Sequence, residues 1–127
     1  KPMVQRPVTM LEIRSIRSPD ATYRANALEY TDVHFQLELE VGEAGTANAE
    51  TFFLEVATPG ALTRAVSEGA LISERGLLVL REFSWRALDE ALGDILKQCE
   101  HYAWSFARDR LQRFFIAQSE TRLPRAR

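Results

Sequence analysis

The feature that most constrains this chain is a strict two-residue alternation from Val33 to Val41. Val33, Phe35, Leu37, Leu39 and Val41 fall on one side of an extended backbone, and His34, Gln36, Glu38 and Glu40 fall on the other. A helix would scatter both sets around its axis, so the segment is a strand with one buried and one wetted face. Gly42 to Asn48 carries two glycines among small residues and predicts a hairpin loop. The loop leads into Glu50 to Val56, where Phe52, Leu54 and Val56 form the next apolar face, so the two strands pair antiparallel.

The remaining elements follow along the chain. Val8 to Ile16 reads as a strand ended by Pro19, and Thr58-Pro59 opens a short helix that stops before Gly69. Leu77 to Phe83 reads as a compact apolar strand. Ser84 is an N-cap for the best helix, whose apolar face is Trp85, Leu88, Leu92, Ile95, Leu96 and Cys99. After a turn at Glu100 to Tyr102, a further helix starts near Trp104, with Trp104, Ala107 and Leu111 inward. Residues 114–119 fit either a continued helix or a closing strand. This order predicts an α+β fold: a mainly antiparallel sheet of about four strands with two to three helices packed on one face. The other face is then open and exposes His34, Gln36, Glu38 and Glu40.

A length of 127 residues suits one domain, read here as 1–127 with an ordered core of about 8–120 and a flexible tail at 121–127. Hydrophobic residues at 46% and charged residues at 27% are globular proportions. Apolar runs such as Leu77 to Leu80 are far too short for a membrane helix. Lys1 to Arg6 has no apolar block behind it, which argues against a signal peptide. Cys99 is the single cysteine, so no internal disulfide forms and a cytoplasmic setting is expected.

The net charge of −2 argues against direct binding of nucleic acid but hides an asymmetry. Between Arg24 and Arg64 the sequence holds Glu29, Asp32, Glu38, Glu40, Glu43, Glu50 and Glu55 and no Lys or Arg. From Arg108 onward the balance reverses, with six arginines against Asp109 and Glu120.

Catalytic chemistry finds little material. His34 and His101 lie on different elements without a cysteine at ligand spacing, so neither a zinc site nor another cofactor is expected. Cys99 sits on an apolar helix face, the place of a small buried hydrophobe rather than a nucleophile. Gly42 to Gly45 lacks the Lys-Ser/Thr of a phosphate loop. Glu38 and Glu40 share a strand face at acid-base spacing, but the sequence supplies no third ligand, and a solvated polar face is the simpler reading. What is left is an acidic strand face suited to a basic protein partner. The candidate contact residues are Tyr23, Tyr30, Asp32, His34, Gln36, Glu38, Glu40 and Glu43.

A collinear set of segments adds to this reading. It comprises Ser15-Ile16-Arg17-Ser18-Pro19-Asp20, Phe35-Gln36-Leu37-Glu38-Leu39, Glu50-Thr51-Phe52 leading to Val56-Ala57-Thr58-Pro59, Leu78-Val79-Leu80-Arg81-Glu82-Phe83-Ser84-Trp85, and Trp104 opening the last helix. Together they resemble the immunity protein 8 family of bacterial toxin systems, over roughly Val8 to Glu120. Ala57 stands where the family has a cysteine, and Phe114-Phe115-Ile116-Ala117-Gln118 replaces its aromatic-acidic ending. The resemblance implies a cytoplasmic antidote that neutralises a cognate toxin domain by binding, without catalysis and without a cofactor. Two alternatives stay open: an adaptor or chaperone for a secreted effector, using an apolar surface near Tyr102 to Phe115, and a small metal-dependent hydrolase using His34, Glu38 and Glu40.

Overall fold

The alternation at Val33 to Val41 becomes β2, His34–Glu43, in a computed structural model that describes residues 10–18, 31–67 and 75–121. β2 pairs antiparallel with β3, Ala49–Ala57, in an unbroken register from His34↔Ala57 to Gly42↔Ala49. On its other side it pairs antiparallel with β1, Leu11–Arg17, whose register shifts between Ile13 and Ser15. Because paired residues share a face, Phe35, Leu37, Leu39 and Val41 meet Phe52, Leu54 and Val56 in one continuous core.

After β3 the chain crosses through α1, Pro59–Ser67, and returns as β4, Leu77–Val79, which pairs parallel with β3. The sheet is therefore mixed, because a helical crossover brings the chain back in the same direction. β4 was expected to reach Phe83 but ends at Val79. Its partner strand ends at Ala57, where Thr58 turns away, so no ladder remains beyond the Ala57↔Val79 pair. Thr58 fixes that turn: it is fully buried, its Oγ1 accepts from Val33 N at 2.9 Å, and its hydroxyl donates to Thr31 O at 2.7 Å.

Phe83, released from the sheet, packs edge-on against Phe35 with ring centroids 5.5 Å apart. Ser84 caps α2, Trp85–Cys99, with its Oγ accepting from Ala87 N at 3.0 Å. α2 buries Leu88, Leu92, Leu96 and Cys99, and α3, Trp104–Leu111, buries Ala107 and Leu111 on the same core. Trp85, placed by its spacing on the apolar face of α2, is 41% exposed, since it is the first residue of the helix and the buried stripe starts one turn later.

Residues 114–119 resolve into a turn, then β5, Ile116–Ala117, antiparallel to β3 at Phe52 and Phe53, then a 3-10 turn at Gln118–Thr121. Gly76 makes this closure fit: its φ is +78°, and a Cβ there would stand 2.8 Å from Ile116 Cγ1. Among the described residues no helix is long and apolar enough to cross a membrane.

Candidate partner-binding face

The side of the sheet opposite the core is organised by register. One row across the strands reads Arg17, Glu38, Phe53, Ile116; the next reads Gln36, Glu55, Leu77; the third reads His34, Ala57, Val79. A fourth row holds Ser15, Glu40 and Thr51. The face thus grades from charged over β1 and β2, through β3, where Thr51, Phe53 and the exposed Glu55 alternate along the strand and Ala57 is buried, to apolar over β4 and β5.

The four β2 residues singled out by alternation, His34, Gln36, Glu38 and Glu40, do stand together here; the first two are exposed and the carboxylates are half-buried. Asp32 lies in the exposed bend before β2. Glu43, at the far end of the strand, is occupied locally: its Oε1 accepts from Asn48 Nδ2 at 2.8 Å and from Thr46 Oγ1 at 3.2 Å. Tyr23 and Tyr30 lie outside the described residues, as does the tail at 122–127.

The acidic run is compensated by basic side chains distant in sequence. Arg17 Nη2 reaches Glu38 Oε2 at 2.6 Å, and Arg108 Nη1 on α3 reaches Glu50 Oε1 at 3.3 Å. His34 Nε2 hydrogen-bonds Glu55 Oε1 at 3.1 Å. Arg14 lies across the backbone of Gly42, donating through Nη2 to Glu43 O and Thr46 O at 2.7 Å each and pairing through Nε with Glu12 at 2.9 Å. Among the described residues no ion pair reaches Glu40. Glu40 and Thr51 form the shared wall of two open recesses, one of about 330 Å³ towards Ser15, Arg17 and Glu38, the other of about 260 Å³ towards Ala49, Glu50, Gln118 and Ser119.

The apolar half of the face was not anticipated. Phe53, Leu77 and Ile116 are half-exposed, and Val79 is 45% exposed. The sequence does carry a sign of it: Phe52-Phe53-Leu54 breaks the alternation of β3, and three consecutive apolar residues must place one on the outer side. A second exposed apolar group lies at the corner between α2 and α3. There Tyr102 and Phe106, 44% and 50% exposed, flank His101 with centroids 4.3 and 4.9 Å from its ring.

Among the described residues no three His, Cys, Asp or Glu side chains gather as a metal-ligand group. Cys99 is buried, and desolvation raises its thiol to about 11, with Arg110 and Arg113 pulling weakly the other way. The thiol is thus protonated and shielded, the setting of a packing residue.

These features define a helix-backed α+β chain whose outer sheet face passes from acidic to apolar. Over residues 11–119 the sequence matches the immunity protein 8 family, and the chain belongs to that family. Membership makes it an immunity protein of a toxin system. No curated protein and no solved structure matches it.

Proposed function

We propose that the chain neutralises its cognate toxin domain by binding it through the outer sheet face, without catalysing a reaction. The observation that carries this reading is the joint placement of His34, Gln36, Glu38 and Glu40 on one side of a strand whose other side is locked in the core. A rigid surface with a net excess of carboxylates over arginines raises the encounter rate with a basic partner and biases its orientation. The toxin domain is therefore basic where it meets this face. A nuclease domain is the natural class, because a site that grips phosphates is positive and carboxylates compete for it.

Two experiments test this. Candidate toxin domains taken from reading frames neighbouring the gene are expressed in cells, and the cognate one is the domain whose host survives when the chain is co-expressed and dies when it is not. In purified components, the double reversal Glu38→Lys, Glu40→Lys should slow association about 10-fold at low salt and flatten its salt dependence. Unchanged association kinetics would remove the electrostatic part of the proposal.

One observation favours a second reading, an adaptor for a secreted effector: the exposed Tyr102 and Phe106. On that reading, alanine at these two positions weakens binding more than any change on β2.

A further inference from the structure

We infer that the toxin domain is held chiefly by the apolar column Phe53, Leu77, Val79 and Ile116, and that the acidic row of β2 is the fringe that guides it there. The inference rests on the toxin-binding reading above and specifies where the contact is centred.

Size sets the first constraint. The β2 row from His34 to Glu40 is a strip about 20 Å long and about 5 Å wide, roughly 100 Å². A stable interface covers about 800 Å² on each partner, so the contact must spread sideways from that strip. Charge decides the direction. Towards β1 the partner meets Arg17, paired with Glu38, and Arg14, stretched over Gly42, and both repel a basic surface. Towards β3, β4 and β5 it meets no basic side chain in the rows that begin at Gln36 and Glu38; it meets Phe53 and Ile116 in one row, the exposed Glu55 carboxylate and then Leu77 in the other, and Val79 beyond the buried Ala57 in the next. A partner carrying an apolar patch edged by lysine or arginine is complementary to this side alone.

Energetics point the same way. A carboxylate already paired with an arginine, as Glu38 is, contributes mainly to encounter rate, and a single further carboxylate such as Glu40 adds one rim contact, whereas removing apolar surface from water sustains the bound state. An apolar patch with a polar margin is the ordinary anatomy of a protein contact: desolvated centre, wet rim. The column is also well supported. Phe53 is registered against Ile116, Ile116 is braced by Gly76, and Leu77 pairs with Glu55, whose carboxylate is held by His34.

The test uses the intact chain and the toxin domain from which it rescues cells in the co-expression experiment above. Val79→Arg alters a side chain that is already 45% exposed, and it sets a positive charge against a basic partner. It should raise Kd at least 10-fold, mostly through faster dissociation, with an unchanged melting temperature. Amide hydrogen exchange of the unmodified proteins provides the second measurement: residues 77–79 and 116–117 should become protected in the complex. A Kd within twofold of the parent, or protection confined to residues 101–106, would overturn the inference while leaving toxin binding intact. Failure of the unmodified chain to bind the domain at all would instead overturn the reading on which it rests.

Discussion

Arg75 and Glu120, 45 residues apart in sequence, join the start of β4 to the 3-10 turn Gln118–Thr121 through a contact of 2.5 Å. Arg75 Nη1 also donates to Gln112 O and Phe115 O at 2.9 Å each, and Glu120 accepts from Ala117 N at 2.7 Å. The hydrogen bond from Arg75 lowers the Glu120 carboxyl from 4.5 to about 2, with the Ala117 amide adding to the effect and partial burial opposing it. A depressed carboxyl stabilises the fold above its ordinary titration range. This contribution is complete above pH 4.5 and is lost as pH falls towards 2. Glu120→Gln should therefore cost about 1 kcal/mol at pH 7, a value reduced for solvent screening. Urea unfolding should show the gap between parent and variant closing between pH 5 and pH 2; a gap independent of pH would show that the charge contributes nothing.

Gly42 and Arg14 form a second coupled pair. A Cβ on Gly42 would stand 2.4 Å from the Arg14 guanidinium, which is the mobile end of a long side chain. Gly42→Ala should accordingly displace Arg14 rather than disrupt the strand, losing its hydrogen bonds to Glu43 O and Thr46 O. The expected loss is about 1 kcal/mol. Arg14→Ala should cost a similar amount, and the double variant little more than either alone. Additive losses in chemical denaturation would mean that the two residues act separately.

Cys99 provides a probe of the core. With its thiol raised to about 11 by burial, it should resist iodoacetamide at pH 8 in the folded protein and react fully in denaturant. Mass spectrometry after timed labelling reads the difference. Rapid modification under native conditions would place the thiol outside the core formed by Leu88, Leu92 and Leu96.

Local pattern and long-range structure were unequally legible in the sequence. The alternation of β2 and the Ser84 cap of α2 are signals carried by neighbouring residues, and both elements form where they were expected. β4 is different, because its length depends on where β3 ends, and that end is set by the hydrogen bonds of Thr58 to residues 31 and 33. β5 is only two residues long and owes its position to Arg75 and Gly76, so the periodicity of residues 114–119 held no answer. The acidic face was read from a run without lysine or arginine, yet Arg14 and Arg17 reach it by folding, and Arg108 reaches Glu50 of the same run from the core side. Linear charge counting misses such pairs. The outer position of Phe53 was within reach, through the broken alternation of β3.

The difference between Glu38 and Glu40 gives a prediction that separates steering from holding. At a distance the two carboxylates are equivalent, so Glu38→Gln and Glu40→Gln should slow toxin association equally, by a few-fold at low salt. At contact they differ. Glu38 is engaged by Arg17 at 2.6 Å, whereas among the described residues no ion pair reaches Glu40, which stands between two open recesses, the one on the side away from Arg17 bordered by Ala49, Glu50, Gln118 and Ser119. A basic group of the toxin can therefore pair with Glu40 without displacing an ion partner among the described residues, but must compete with Arg17 for Glu38. Glu40→Gln should speed dissociation about 10-fold, which corresponds to roughly 1.4 kcal/mol, while Glu38→Gln should change it less than about twofold. Surface-immobilised kinetics on the two single variants resolves both rates. Equal dissociation rates would show that neither carboxylate makes a close ion pair in the complex, leaving both with a steering role only.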